Sequence, residues 1–334
     1  MPPPATASAE RRTHVRIAGL SLLAAVALLA LKFQAWALTG SQAVFSDALE
    51  SIVNVVAAAL LIAGLVYASR PADRDHPFGH GKIEFFAAAF EGGLVFFAAL
   101  VILWQSVVAL CFGAELQKLD LGIVLTFAAG VGNGLLGLFL VRYGRRHRSS
   151  AIEADGQHVL SDFWTSLGAI VGLLLVRLTG IVWFDPVVAI VTALLLLSTG
   201  WRVVRRAAGA LLDEEDPQLL RELVDVLAPR VGGGVIRVHQ LRAIRAGHFR
   251  HFSAHLVVPE FWTVELAHDT AEALAAQVMR EMPGEGDITF HTDPCERTYC
   301  AMCDLEACTI RRHAFTGLLP LTVEEAVRPD GASH

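Results

Sequence analysis

Six long apolar stretches, at roughly 14–38, 42–68, 84–112, 120–143, 151–179 and 183–204, fill the first two-thirds of the chain. Each is rich in Leu, Ala, Val and Gly and reaches the roughly 20 residues that a helix needs to cross a bilayer. Short polar breaks separate them: Thr39-Gly40-Ser41, residues 70–82, 115–120 and 142–148, and Asp185-Pro186. From residue 213 the pattern changes. Asp216-Pro217 is a helix start, and Leu219, Leu220, Leu223, Val224 and Leu227 then fall on one helical face. Gly232-Gly233-Gly234 breaks the chain, and alternating runs at 235–245 and 249–258 meet around Gly247 as a hairpin. A second helix is expected over about 263–282, from Thr263 to Pro283, and a last strand near 287–292. This αββαβ order suits one sheet with helices on one face. After Pro294 the pattern predicts no element.

The fold class is therefore an all-α transmembrane domain of six helices followed by a small α+β domain. The expected divisions are an N-terminal tail at 1–13, membrane helices over 14–212, the αββαβ domain at 213–294 and a cysteine-rich tail at 295–334. Composition sharpens the split. The chain is 54% hydrophobic and 18% charged, against about 25% charged for a soluble domain. Residues 1–212 carry net +3 and residues 213–334 net −9. This division excludes a single soluble globule, a disordered chain and a nucleic-acid binder with a basic face. No small-residue cleavage site follows an apolar core near the start, so a removable signal peptide is not expected.

The cations alternate by side. Arg11, Arg12 and Arg16 precede the first stretch, and Arg70, Arg74 and Lys82 follow the second. Arg142, Arg145, Arg146 and Arg148 follow the fourth, and Arg202, Arg205 and Arg206 close the sixth. The other side has only Lys118 and, toward helix ends, Lys32 and Arg177. Positive residues stay cytoplasmic, so a multi-pass protein of the cell membrane is expected, with both termini and the acidic domain inside.

Ionisable groups inside the spans are the chemical exceptions. A charge at the bilayer centre costs about 2.5–3.5 kcal/mol or more. The second span nevertheless holds Asp47, Glu50, Ser51 and Asn54 within one helical arc, and the fifth holds His158 and Asp162 at i, i+4. The two spans run in opposite directions, so both sets lie at similar depth. Two Asp and one His converging there suit a divalent cation such as zinc. The alternative is that Asp47 and Asp162 are interhelical hydrogen-bond partners, a role that does not need ionisable groups. Glu91 either lines the same cavity or snorkels to the rim.

Asp47, His158-x-x-x-Asp162 and the segment Asp73-Arg74-Asp75-His76-Pro77-Phe78-Gly79-His80-Gly81-Lys82 together resemble the cation diffusion facilitator transporters, among them bacterial ferrous-iron and zinc efflux members. The resemblance runs from about residue 14 to Asp293. It implies a homodimer, not an enzyme, that exports divalent metal from the cytoplasm in exchange for protons. The soluble domain would be ferredoxin-like, as in metallochaperones. The transport site would be Asp47, Ser51, His158 and Asp162. Ser51 departs from relatives that have a second carboxylate or His there, and Glu50, Asn54 or water would supply the missing ligand. A loop site would use Asp73, His76 and His80, whose imidazoles share one side if the segment is helical. A cytoplasmic-domain site would use His239, His255, His268, His291 and Asp293 and hold two ions. Lys82 and Asp213 would form an interlocking ion pair.

His248 and His251 lack such matches and are read as solvated strand residues, and His147 as part of a basic run. Four of the five cysteines form Cys295-x4-Cys300-x2-Cys303-x4-Cys308. In a reducing compartment stable disulfides are not expected. A four-thiolate structural zinc leads over an iron–sulfur cluster, since the plant-type cluster takes its fourth cysteine from farther away. Cys111 reads as a small residue packed within a span. His158 favours Zn²⁺, Fe²⁺, Co²⁺ or Cd²⁺ over Mn²⁺ as cargo, because imidazole is softer than carboxylate. The rival classes are a membrane metalloenzyme and a metal sensor. No H-E-x-x-H and no nucleophile paired with a base support the first, and the intramembrane carboxylates argue against the second.

Overall fold

The computed structural model describes residues 5–68, 70–113, 116–146, 150–247 and 249–328, with side chains described outside 5–18, 58, 61, 65, 144 and 150–155. His248, read above as a solvated strand residue, His147 and Arg148, read as part of a basic run, and the side chains of Arg11, Arg12 and Arg16 lie outside what is described. The chain divides into two compact units. One comprises the chain up to Gly64 together with Ala87–Ala207, the other Leu65–Phe86 together with the chain from Ala208 onward.

The first unit is built from six long helices: α1 (Ala5–Thr39), α2 (Gln42–Ala68), α3 (Ile83–Phe112), α4 (Leu119–Arg146), α5 (Ser150–Thr179) and α6 (Phe184–Leu211). Each contains a stretch apolar and long enough to span a membrane. Large apolar residues such as Phe97, Trp104, Leu135, Trp164 and Leu195 are exposed on them, as a lipid-facing surface requires. Small residues set the helix spacing. A Cβ on Gly156 of α5 would sit 2.6 Å from the Val141 nitrogen of α4, and one on Gly137 would sit 2.9 Å from the Gly156 carbonyl oxygen. The two backbones touch because neither position carries a side chain.

The break before α2 is tied down by Asp185 of α6. Its carboxylate accepts from the Ser41 hydroxyl, from the Gln42 N–H at 2.6 Å and from the Ala43 N–H at 3.3 Å. A helix start leaves N–H groups without intrahelical partners, and here a neighbouring helix supplies the cap.

The C-terminal domain has the order α7 (Pro217–Leu227), β1 (Arg237–Ala246), β2 (Phe249–Val258), α8 (Val264–Glu281) and β3 (Glu285–Pro294). Asp216 caps α7 through the N–H groups of Gln218 and Leu219, and Thr263 caps α8 through Leu266. The sheet order is β1-β2-β3, with β2 antiparallel to β1 and parallel to β3. Phe252, Ala254, Leu256 and Val258 of β2 alternate onto the face covered by Leu219, Leu220 and Leu223 of α7 and Leu274 and Val278 of α8. His251, Ser253, His255 and Val257 therefore point the other way.

In β1 a bulge between His239 and Arg242, with Gln240 at φ 49°, adds one residue. Val238 and Leu241 consequently share the core face while His239 faces opposite. The tail also folds. Residues Arg297–Met302 form a 3₁₀ turn and Val323–Ala326 a short helix, α9, whose Ala326 is fully buried in the core. Cys303 packs on Ile236 and Val257 on the other face of the sheet. The segment in which no element was expected is thus held to the domain by apolar contacts and by the Arg237–Glu325 ion pair at 2.9 Å.

Candidate metal centres

Four helical residues of α2 divide into two neighbouring pairs. Asp47 and Ser51 are one turn apart, as are Glu50 and Asn54, and each pair stacks along the helix. The first pair meets Lys32 of α1, whose Nζ donates to Asp47 Oδ1 and to Ser51 Oγ, both at 2.8 Å. Ser166 of α5 donates to both Asp47 oxygens, at 2.8 and 2.9 Å. Lys32 is 1% and Asp47 2% exposed at the side chain. The sequence counts Lys32 among cations near helix ends, but it is an interior cation neutralising an interior carboxylate. An ammonium so far from water is retained because it has an anion and a hydroxyl to bond.

The second pair faces α5. Asn54 Nδ2 donates to both oxygens of Asp162 at 2.9 Å, so Asn54 presents protons to Asp162 and fixes its direction. Glu50, Asn54, Glu91, His158, Ser161 and Thr165 line a cavity of about 730 Å³. Among the described residues, Glu50 Oε2 is buried without a hydrogen-bond partner. Asp47 and Ser51 do not line that cavity. Of the four residues expected to form one transport site, His158 lines that cavity, Asp162 is bonded by Asn54 beside it, and Asp47 and Ser51 are bonded by Lys32.

Among the described residues, two groups of His, Cys, Asp and Glu bring three ligand atoms within 4.8 Å of one another: Asp73–His76–His80 and His239–His255–Asp293. The first lies in the loop between α2 and α3. That segment is a series of turns rather than the helix on which the spacing argument rested. Asp73 Oδ1 accepts the N–H groups of Asp75 at 3.0 Å and His76 at 2.7 Å. Gly79, at φ 79°, turns the chain so that His80 returns to Asp73 Oδ2 at 3.4 Å. The His76 N–H, above all, holds the Asp73 carboxyl below the usual carboxylate range. His80 is buried, and among the described residues its Nδ1 has no hydrogen-bond partner. Lys82 and Asp213 pair at 2.8 Å on a half-exposed surface.

The second group is a product of strand register. His239, His255 and His291 are directly opposite one another across β1, β2 and β3, and Asp293 shares the face of His291 two residues on. Asp293 Oδ2 meets His239 Nε2 at 3.1 Å and His255 Nδ1 at 2.8 Å, and Oδ1 meets His291 Nε2 at 3.4 Å. His268, also expected here, is exposed on α8 and outside the converging group. His251 is not the solvated residue expected. It is 14% exposed, bonds Asp287 at 2.9 Å and packs edge-on against Phe78.

The cysteine tail does not draw three sulfurs within 4.8 Å. Cys300 and Cys303 are buried, and the knot is organised by Arg311, which donates to the carbonyls of Cys300, Cys303 and Leu305 at 2.7–3.0 Å. Burial, first, pushes the Cys295 thiol above its ordinary value. Cys111 in α3 is exposed, not packed.

Six spanning helices around buried carboxylates, followed by an α+β domain bearing a His–Asp cluster, define a membrane transporter of cations. Residues 19–212 match the cation efflux transmembrane domain and residues 216–295 the cytoplasmic domain of cation efflux proteins. The chain belongs to the cation diffusion facilitator family of multi-pass cation-efflux transporters. It is 39% identical to an uncharacterised transporter, sll1263, of Synechocystis sp., over 83% of this chain and 89% of that protein. It is 31% identical to the cation-efflux pump FieF of Cronobacter sakazakii, over 84% and 92%. Against the manganese efflux system protein MneP of Bacillus subtilis the figures are 24%, 86% and 98%.

Proposed function

We propose that the protein exports a divalent metal ion, zinc foremost, from the cytoplasm in exchange for protons, as a homodimer with both termini inside. The observation that carries this reading is Asp162, a buried carboxylate held by Asn54 beside a cavity that His158 and Glu50 line. One imidazole among carboxylates supplies the mixed N and O set that zinc takes, with Fe²⁺, Co²⁺ and Cd²⁺ as competitors. Such ligands accept either protons or metal, so metal binding releases protons. A proton gradient then drives release on the far side.

The Asp73–His76–His80 and His239–His255–Asp293 groups are proposed as regulatory sites that respond to cytoplasmic metal, the second joined by His291 and, in the bound state, His268. The Lys82–Asp213 pair would brace the two subunits. The tail cysteines would close on zinc only after their sulfurs rearrange around Arg311.

Purified full-length protein in liposomes, loaded with zinc and given a pH gradient, tests the central claim. Zinc flux coupled to proton counterflow is expected in the wild type, with loss of both in Asp162→Ala. Flux of Mn²⁺ in preference to zinc would refute the metal assignment, and zinc flux indifferent to the gradient would refute proton exchange.

A further inference from the structure

Resting on the assignment of the tail cysteines as a metal site, we propose that residues 295–312 form a preassembled tetrathiolate site for one thiophilic divalent cation. Arg311 and Asp304 are its positioning residues, and it fills separately from the His239–His255–Asp293 group. The frame is held through backbone atoms rather than through sulfur. Arg311 donates to the carbonyls of Cys300 at 3.0 Å, Cys303 at 2.9 Å and Leu305 at 2.7 Å. One guanidinium thus fixes the Cys300-x2-Cys303 turn and the chain that leaves it. Asp304, directly after Cys303, accepts the Gly233 N–H on both carboxylate oxygens at 3.0 Å. Gly233 stands at φ 60°, a conformation that glycine adopts without a Cβ penalty. The glycine run before β1 is therefore the socket in which the cysteine turn is anchored.

The four thiols are neighbours. Cys303 and Cys308 lie within electrostatic reach of Cys295, and Cys295 and Cys300 within reach of Arg297. No three sulfurs come within 4.8 Å, so closure takes side-chain rotation over a backbone that Arg311 and Asp304 keep in place. The Cys295 N–H donates to the Val258 carbonyl at 2.8 Å, which carries the β2–β3 ladder one residue past Pro294 and puts Cys295 on the face of Asp293. Cys295 opens on a cleft of about 610 Å³ that His239, Asp293 and Tyr299 also line, giving an ion its entry path. Cys300 and Cys303, 7% and 6% exposed, form the dry side. The Arg312 N–H donates to Cys300 Sγ at 3.5 Å, a bond that strengthens once the sulfur is an anion. Arg297, Arg311 and Arg312 offset part of the charge that four thiolates bring to one divalent ion. Soft sulfur selects cadmium and zinc over manganese, whereas the His–Asp group offers only nitrogen and oxygen. The domain thereby senses two classes of cation at two places.

Cadmium is the probe, because its ultraviolet charge-transfer band with thiolate counts sulfurs per ion. The full chain is titrated in detergent on a Cys111→Ser background, so that the tail holds every remaining thiol. A four-thiolate band saturating at one ion per chain is expected, unmoved by excess Mn²⁺ and unchanged by His255→Ala or Asp293→Asn. Cys308→Ser, at the less buried end, should lose about a quarter of the intensity as one ligand of four. Outer-shell partners of a metal are worth about 10–100-fold in affinity, so Arg311→Met should weaken cadmium at least about tenfold against a competing chelator. Arg311→Lys should recover part of that loss. Wild-type affinity in Arg311→Met, displacement by Mn²⁺, or a band that disappears with His255 or Asp293 overturns the inference while leaving a metal on the tail. With no thiolate band at all, the assignment of the tail as a metal site fails and the inference with it.

Discussion

Replacing Lys32 by methionine keeps the length and most of the volume of the side chain while removing its charge. Asp47, 2% exposed, would then keep only the Ser166 hydroxyl, and the carboxylate would be an anion in a membrane interior. Losing one partner of a buried ion pair costs about 3–5 kcal/mol, whereas replacing both by neutral groups of similar volume is often neutral or stabilising. Lys32→Met and Asp47→Asn should therefore each destabilise the membrane domain by about 3–5 kcal/mol. The double variant should lie within about 1 kcal/mol of wild type, well above the sum of the singles. SDS-titration unfolding in mixed micelles, followed by the fluorescence of the six tryptophans, reads all four proteins on one scale. Because the pair is buried, raising salt should leave the coupling unchanged, unlike a surface pair. Single variants costing under about 1 kcal/mol, or costs that simply add in the double variant, would refute the reasoning.

Two further outcomes follow from the C-terminal unit. A methyl at Gly81 would lie 1.9 Å from the Ala246 carbonyl oxygen, so Gly81→Ala should force the loop away from the β1–β2 turn and expose it to trypsin at Arg74 and Lys82; an unchanged digestion pattern would contradict this packing. Zinc at 100 times its Kd should stabilise its site by about 2.7 kcal/mol, and Asp293→Asn, which removes the anion shared by His239, His255 and His291, should abolish most of the zinc-dependent rise in melting temperature, an expectation sunk by an undiminished rise.

The membrane helices and the αββαβ order were legible because each rests on a local period: apolar length for the spans, alternation for β2, a one-sided stripe for α7. Asp47, His158 and Asp162 stood out for the same reason, as charges where the pattern forbids them. Lys32 did not, since a lysine near the end of an apolar run reads as a snorkelling flank. A signal was present, because position 32 is seven residues, or about 10 Å of helix, short of Thr39, which is deep for a side chain that must reach water.

The face of His239 was not legible, as two-residue alternation puts it with Leu241. Only the bulge at Gln240 separates them. The tail has no period at all, and its order comes from Arg311 and from packing on distant residues. The turn that assembles Asp73, His76 and His80 was legible as a ligand spacing but not as a shape, because backbone N–H donors to Asp73 replace the helix.

The row of histidines across the sheet has a consequence for quality control. β3 pairs with β2 residue for residue from Phe249 opposite Glu285 to Val258 opposite Pro294. A slip of one residue would turn every β3 side chain to the other face, carrying His291 and Asp293 away from His239 and His255. A misregistered sheet would retain its hydrogen-bonding capacity yet lose its chelating atoms. The cluster is in that sense a checksum on folding: a metal ion bound there certifies that three strands, one bulge and the α8 crossover have all closed in the correct frame.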